Sequence, residues 1–285
     1  FEFNKEYINV VTSKIANNDA LFITNSFKEM HPADAADIIE HLSQNDRENL
    51  IKLNNFKIDP EVFVELNESI KSEIIKYKEE GYIKNLPVFS KNGVEKLQLL
   101  FSELNERLPK GVNLNKTNMW HKASKQFYDL AHTPAILDYV EDLLGQNFYL
   151  WGGQFFYKPA YSNSIVPWHQ DSQYWPLEPS NSVTVWLAVY DTDEKNSAMK
   201  IISGSHKDKI YLHNENTNEN YILNQEVSNN QIDQNKIVYM NLKAGEISLH
   251  SDALLHGSDK NNSNLPRCGI TLRYSPSNVK ANLSK

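Results

Sequence analysis

Cysteine is almost absent from this chain of 285 residues, which has a single one, Cys268. No disulfide can form within the chain, and this composition is typical of proteins of the reducing cytoplasm. Basic residues are also in the minority, with 29 Lys and Arg against 36 Asp and Glu and a formal net charge of -7. The acidic balance argues against nucleic acid or an anionic membrane as the main partner.

Long apolar runs are lacking as well. None approaches the roughly 18 residues that a membrane-spanning helix needs, and the first residues show no signal-peptide pattern. We therefore expect a cytoplasmic protein without a membrane segment. The length allows one or two globular domains with a substantial core.

The two parts of the chain have different periodicities. Within residues 1–75, apolar residues recur at helical spacing in short segments, whereas strand patterns are nearly absent. Beyond residue 145, short runs rich in β-branched and aromatic residues alternate with turn residues. These patterns predict a small all-α module over residues 1–75. They predict a mainly β domain with helical support, a sandwich or jelly roll, over residues 76–285.

The second part of the chain contains the elements that bear on function. Helices are predicted over residues 93–108 and 123–144. Strands are predicted over residues 148–157, 183–190, 198–202, 236–242, 246–250 and 268–274. The Asn-rich segment 213–235 is poorly suited to a core and is predicted to be either a lid or a solvated loop.

The sequence VPWHQDSQYW, residues 166–175, places a histidine and an aspartate two positions apart. In an extended strand such residues point to the same side, so His169 and Asp171 can offer a nitrogen and an oxygen to one metal ion. The alternative is a solvated histidine near a turn aspartate, because so short a motif also arises by chance. The sequence GEISLHSDALLHGS, residues 245–258, supplies two candidates for a third ligand, His250 and His256.

An arginine follows His256 by eleven residues and opens the predicted strand RCGITLRYSP. Strand alternation places Arg267, Gly269, Thr271 and Arg273 on one face. A cation on an inward face requires a carboxylate partner or a ligand, and the planar guanidinium suits bidentate recognition of a carboxylate. For Arg273 the pattern leaves two interpretations open, a salt bridge at the rim or a contact with substrate.

Three segments, HQDSQYWPLEP, SVTVWLAVYDTDEKNSAMKIISGSH and HGSDKNNSNLPR, resemble the phytanoyl-CoA dioxygenase family in order and spacing, over about residues 77–276. The resemblance implies a double-stranded β-helix of the jelly-roll or cupin-like type, with Fe(II), 2-oxoglutarate and O2. It implies that the iron ligands are His169, Asp171 and His256, and that His250 is structural. Five residues are implied to bind the cosubstrate or to lie near it: Arg267, Ser258, Lys158, Trp186 and Gln154. One turn departs from the family's pattern, because Asn196-Ser197 stands where Asn-Gly is usual, and we expect only altered turn geometry there.

The function implied by this resemblance is hydroxylation of a small organic substrate, with release of succinate and CO2. The carboxylate of Asp171 favours hydroxylation over halogenation, because halogenases of this superfamily lack it. The alternative is a non-oxidative cupin-like metal-binding protein, either an isomerase or hydrolase or a ligand sensor. Such a protein has no need of Arg267. The residues do not specify the substrate.

The sequence FKEMHPADAADIIEHLSQNDRENLIKL, residues 27–53, resembles the intracellular N-terminal domain of MgtE-type magnesium transporters. The resemblance covers about residues 7–75. It does not imply a transporter, because no membrane segment follows in this sequence. A helical extension used for packing or assembly is the alternative to a regulatory role.

Overall fold

The computed structural model describes residues 5–28, 30–42, 46, 49–50, 53, 77–207 and 210–282. The chain divides into two compact units. One comprises Phe1–Ile75 with Glu141–Gln146, and the other comprises Lys76–Val140 with Asn147–Lys285. No helix in the described part of the chain is long and apolar enough to cross a lipid bilayer.

The described part of the first unit is helical. Its helices are α1 (Lys5–Ala16), α2 (Ala20–Lys28) and α3 (Pro32–His41). Pro32 begins α3, where the missing amide hydrogen costs nothing, and Asp19 caps α2 by accepting a hydrogen bond from the amide of Phe22 (3.1 Å). The apolar faces meet in a core of their own, which includes Val11, Ile15, Ile23, Ile38, Leu42 and Leu50. The part of the predicted all-α module beyond residue 53 lies outside the described residues.

The second unit contains helices that support a sheet. These are α4 (Lys91–Arg107), α5 (Trp120–Ala123), α6 (Lys125–Ala131) and most of α7 (Pro134–Leu144), whose last residues belong to the first unit. The prediction of one helix over residues 123–144 is wrong. The helical run is broken before Pro134, because proline lacks an amide hydrogen and disfavours the helical conformation of the residue that precedes it.

The described part of the chain contains thirteen strands, which include the six predicted from the sequence, with altered ends. They are β1 (Tyr82–Pro87), β2 (Phe148–Lys158), β3 (Val166–His169), β4 (Leu177–Glu178), β5 (Val183–Ala188), β6 (Lys200–Ile202), β7 (His213–Glu215), β8 (Gln225–Val227), β9 (Ile237–Tyr239), β10 (Glu246–Ser251), β11 (His256–Ser258), β12 (Arg267–Pro276) and β13 (Lys280–Ala281). A five-stranded sheet has the order β1-β10-β5-β12-β2, and a four-stranded sheet has the order β3-β11-β6-β9. Neighbouring strands are antiparallel throughout. The predicted double-stranded β-helix is confirmed.

The two faces of the five-stranded sheet have different neighbours. On the outer face, Phe101 of α4 and Phe127 of α6 pack against Phe155 of β2, with ring centroids 5.8 and 5.3 Å apart. Tyr274 also points outwards, and its hydroxyl donates to the carbonyl of Ala131 (2.6 Å). Because side chains alternate along β12, the arginines of that strand point the other way, towards the site described below.

The Asn-rich segment contains the two-stranded sheet β7-β8 and lies beside β3. The amide of Gln170 donates to Nε2 of His213 (3.1 Å), and the hydroxyl of Tyr174 donates to the carbonyl of Gln225 (3.0 Å). The segment is therefore anchored next to the strand that carries His169, which argues against the solvated loop that was one of the two alternatives.

We predict that a shortened chain beginning at Ser72 folds, binds Fe(II) and consumes 2-oxoglutarate. The described helices of the first unit have their own apolar core, and all the predicted ligands lie beyond residue 76. Circular dichroism and metal analysis of the shortened chain check this. An insoluble or iron-free product would contradict it and would show that the second unit depends on residues 1–71.

Candidate metal centre

Three predicted ligands meet between the two sheets. His169 ends β3, His256 begins β11, and Asp171 follows His169 by two residues. Antiparallel pairing sets His256 directly opposite His169. Nε2 of His169 is 3.4 Å and Nε2 of His256 is 3.9 Å from Oδ1 of Asp171, and the candidate ligand atoms all lie within 4.8 Å of one another. Two imidazoles and a carboxylate thus converge on one point.

Asp171 reaches this point in a different way from the one predicted. It is not a strand residue but begins a short 3-10 helix, Asp171–Gln173. The intervening Gln170 is still extended, with φ -110° and ψ 130°, so the side chains of His169 and Asp171 return to the same side. The hydroxyl of Thr184 donates to the second carboxylate oxygen of Asp171 (3.3 Å) and helps to orient it.

Backbone carbonyls fix the orientation of both histidine rings. Nδ1 of His169 lies 2.9 Å from the carbonyl oxygen of Pro167, and Nδ1 of His256 lies 2.9 Å from that of Leu254. A proton on each Nδ1 satisfies these carbonyls and leaves the lone pair of Nε2 facing Asp171. Metal-binding histidines are commonly held by such a contact on the other ring nitrogen.

The electrostatics also suit a metal ion. Burial alone would raise the pKa of Asp171, but the contact with His169 and the charges of His256 and Arg273 hold that pKa well below its usual range. Burial, followed by the proximity of His169, lowers the pKa of His256 well below its usual value. An ionised carboxylate and a neutral imidazole are the forms that bind metal. Two histidines and one carboxylate, with further positions open, are the donor set of non-haem Fe(II) oxygenases, so these residues fit iron.

Arg267 lies in the same cavity, held against an indole. The side chain is 2% exposed, and its guanidinium carbon is 4.8 Å from the ring centroid of Trp186. Gly269 makes room for this indole, since a Cβ there would lie 1.9 Å from Cζ2 of Trp186. Nη1 of Arg267 donates to the carbonyl of Phe156 (3.3 Å), whereas its buried Nε has no hydrogen-bond partner. Arg267 forms no ion pair with any residue that the structure describes, so its charge is available to a ligand.

Ser258 lines the cavity, and Lys158 lies behind it. Nζ of Lys158 donates to the hydroxyls of Ser258 (2.8 Å) and Ser197 (3.0 Å) and to the carbonyl of Asp259 (2.6 Å). Burial, and secondarily Arg267, lower the pKa of Lys158 to about 6. Lys158 therefore holds the hydroxyl of Ser258 in position through this hydrogen bond. Ser197 adopts a φ of 75°, in the left-handed region that favours glycine, so the serine of the Asn-Ser turn takes a backbone conformation that glycine usually takes.

Of the other predicted contacts, Trp186 lines the cavity and Gln154 does not. The side-chain nitrogen of Gln154 donates to the carbonyl of Asn115 (2.5 Å), and its oxygen accepts from Nη2 of Arg273 (3.4 Å). Gln154 therefore contacts the site indirectly, through its hydrogen bond with Arg273.

Two residues of the site were not assigned to it from the sequence. Thr184 holds Asp171, and alternation along β5 could have revealed it, because Thr184 shares a face with Trp186. His250, predicted to be structural, lines the cavity with both ring nitrogens lacking partners among the described residues. Its ring centroid is 4.8 Å from that of His256, and burial lowers its pKa to about 4.

These side chains line one cavity that is partly open to solvent. The triad lies on one wall of the cavity, and Arg267 and Arg273 lie on the β12 side.

Comparison with known families agrees with this geometry. The family model of phytanoyl-CoA dioxygenase (PhyH) matches residues 77–269. The model of the MgtE intracellular N domain matches residues 30–87, so that match begins and ends later than the residues predicted from the sequence.

Individual proteins are similar to this chain as well. A probable alpha-ketoglutarate-dependent hypophosphite dioxygenase of Stutzerimonas stutzeri is 31% identical over 147 residues, 51% of this chain and 51% of that protein. The chain spans about half the length of the curated relatives it matches. The non-heme monooxygenase ThoJ in its apo form has a TM-score of 0.63 at 25% identity, covering 73% of this chain and 78% of that one. The epimerase SnoN, solved with Fe³⁺, alpha ketoglutarate and nogalamycin RO, has a TM-score of 0.61 at 17% identity, covering 75% and 86%.

Proposed function

Because the chain belongs to the phytanoyl-CoA dioxygenase family, we propose that it is an Fe(II)- and 2-oxoglutarate-dependent dioxygenase that hydroxylates a small molecule. The observation that carries this proposal is the presence of two features in one cavity. The cavity holds a cluster of two histidines and one carboxylate, and it holds a buried arginine that forms no ion pair with the described residues.

The residues have separate tasks in this proposal. His169, Asp171 and His256 would hold the iron, which would supply the oxidising chemistry. In that chemistry 2-oxoglutarate is converted to succinate and CO2, and one oxygen atom of O2 enters succinate while the other enters the hydroxyl group of the product. Arg267 binds the far carboxylate of 2-oxoglutarate, and Ser258 offers a hydroxyl beside it. Trp186 packs under the guanidinium of Arg267 and fixes its direction.

A non-oxidative cupin-like metal protein is the alternative. Such a protein would use the same triad, but it would give Arg267 no role in binding a ligand. A guanidinium that is 2% exposed and has no carboxylate partner among the described residues loses hydration, and one backbone hydrogen bond and an indole face compensate only part of that loss. A dicarboxylate cosubstrate compensates this cost, and a generic metal site does not.

The relative from Stutzerimonas stutzeri suggests a first compound to test as substrate, hypophosphite. The match covers about half of that protein, so hypophosphite is a starting point for a screen of small molecules.

The single, buried cysteine supports a cytoplasmic location.

A direct experiment tests the proposed function. Protein loaded with Fe(II) without oxygen should show a weak visible absorption band when 2-oxoglutarate is added. Exposure to O2 should then produce succinate, faster in the presence of a substrate. Hypophosphite is tried first, with a panel of small acids and amines beside it. Binding of zinc or manganese without any succinate formation would favour the cupin-like alternative.

A further inference from the structure

The cavity contains a second arginine to which the proposed function assigns no task. Arg273 is partly buried and lines the cavity, and its Nε is fully buried without a hydrogen-bond partner. Nη2 donates one long hydrogen bond, to the side-chain oxygen of Gln154 (3.4 Å). No carboxylate in the described part of the chain lies within ion-pair distance of Arg273. The rim salt bridge considered from the sequence is therefore not formed with any described residue.

The surroundings of Arg273 hold its side chain in place without neutralising it. Its guanidinium carbon lies 5.2 Å from the ring centroid of Trp175 and 5.9 Å from that of Trp151. Gly152 pairs with Arg273 on the neighbouring strand β2. It leaves space for the arginine side chain, since a Cβ at Gly152 would lie 3.3 Å from Cδ of Arg273. Aromatic faces attract a guanidinium but do not cancel its charge. The site is thus prepared for an anion.

Strand register places Arg273 beside the metal ligands. His250 of β10 pairs with Thr184 of β5, and Thr184 pairs with Arg273 of β12, so these three residues form one row across the sheet. The hydroxyl of Thr184 donates to Asp171. A molecule bound by Arg273 would therefore lie at the level of the iron, where a reacting substrate must be.

Arg267 lies at the other end of β12. The two arginines are six positions apart, so their backbones are about 20 Å apart at ~3.3 Å per residue. If Arg267 binds the far carboxylate of 2-oxoglutarate, Arg273 is free for a second molecule.

The charges that line the cavity support this division. Asp171 contributes one negative charge and the two arginines contribute two positive charges, while Lys158 is held behind Ser258. Fe(II) adds two positive charges, and 2-oxoglutarate adds two negative charges. One positive charge remains, and a buried charge of this kind is costly unless it is paired. A substrate with one negative charge would balance it.

We propose that Arg273 binds a compact oxyanion group, a carboxylate or a phosphorus oxyanion, on the substrate, and that His250 lies beside that group as a hydrogen-bonding partner. This inference deepens the proposed function and rests on it for the charge balance. It names a specificity-determining residue and a substrate class, a small anion.

Calorimetric titration of protein loaded with Fe(II) and 2-oxoglutarate, without oxygen, tests this inference. The probes are phosphite and acetate, which separate the two oxyanion types, and choline as the cationic control. The wild-type protein should bind at least one of the anions and should not bind choline. Arg273→Gln should weaken anion binding by at least about tenfold, since a hydrogen bond to a charged group is lost. Arg273→Lys should restore part of it because the charge returns without the fork.

Two further variants serve as controls. Arg107 is an exposed arginine on α4, so Arg107→Gln removes one positive charge far from any proposed ligand and should change nothing. Arg267→Gln should lose 2-oxoglutarate, whereas Arg273→Gln should keep it, which also shows that the Arg273 variant is folded.

Three results would overturn the inference. They are equal anion binding by wild type and Arg273→Gln, no binding of either anion by wild type, and a loss of 2-oxoglutarate in Arg273→Gln as steep as in Arg267→Gln. The last would mean that Arg273 holds the cosubstrate. If wild type binds no 2-oxoglutarate, the proposed function fails. The same titration of the metal-free protein then decides whether Arg273 binds anions.

Discussion

Replacing His256 by alanine should abolish Fe(II) binding, and with it all turnover of 2-oxoglutarate. His256 supplies one of three candidate donors, and its Nε2 lies 3.9 Å from Oδ1 of Asp171. The loss should exceed the 10–100-fold in metal affinity that is typical of residues that only support a ligand. Metal analysis of the variant after anaerobic loading, together with the visible band formed with 2-oxoglutarate, measures this effect.

His250→Ala is the matched control for His256→Ala. The two rings are neighbours, with centroids 4.8 Å apart, and both line the cavity. His250 is outside the cluster of candidate ligands. The variant should therefore keep its iron and the visible band. If His250→Ala lost iron while His256→Ala retained it, the choice of third ligand would be wrong.

The convergence of His169 and Asp171 could be predicted because it depends on a local pattern, whereas the choice of His256 over His250 came from the family resemblance. His169 and Asp171 are two residues apart, and an extended Gln170 is enough to bring them to one side. Likewise, alternation along β12 correctly separates Arg267 and Arg273 from the outward-facing Tyr274. Such features require no knowledge of which strands are neighbours.

The row of His250, Thr184 and Arg273 could not be predicted in the same way. These residues come from three strands that are far apart in the sequence, and only the register between the strands aligns them. A shift of one residue would turn each side chain to the other face, and nothing local to any strand fixes that register. For the same reason the sequence did not reveal that Gln154 turns to Asn115.

The boundary between α6 and α7 could have been predicted from the sequence, but it was missed. Pro134 should end a helix at the residue before it, yet the apolar periodicity over residues 123–144 continues on both sides of the break. The periodicity reflects buried apolar side chains in both helices, such as Phe127 of α6 and Ile136 of α7. Apolar periodicity that continues across a segment therefore does not establish a continuous helix.

Replacing Arg267 by alanine should raise the 2-oxoglutarate concentration needed for turnover by roughly thirtyfold or more, while iron binding stays nearly intact. Removing one partner of a buried charge pair costs about 2–5 kcal/mol, much of it the cost of leaving the other charge unpaired. Arg267 is 2% exposed, and its guanidinium donates to the carbonyl of Phe156 rather than to the triad. The metal ligands should therefore keep their positions when Arg267 is removed. Titration of the visible band with 2-oxoglutarate measures the affinity directly.

Arg267→Lys separates charge from geometry at the same position. Lysine restores the positive charge but not the planar fork, nor the stacking of a guanidinium on Trp186 (4.8 Å), so it should recover only part of the affinity. Arg273→Ala, on the same face of β12, should cost much less 2-oxoglutarate affinity, because it lies at the other end of the strand. Unchanged 2-oxoglutarate binding by Arg267→Ala would remove the reason for a dicarboxylate cosubstrate. The triad would then be the metal site of a cupin-like protein, and the charge of Arg267 would need a different ligand.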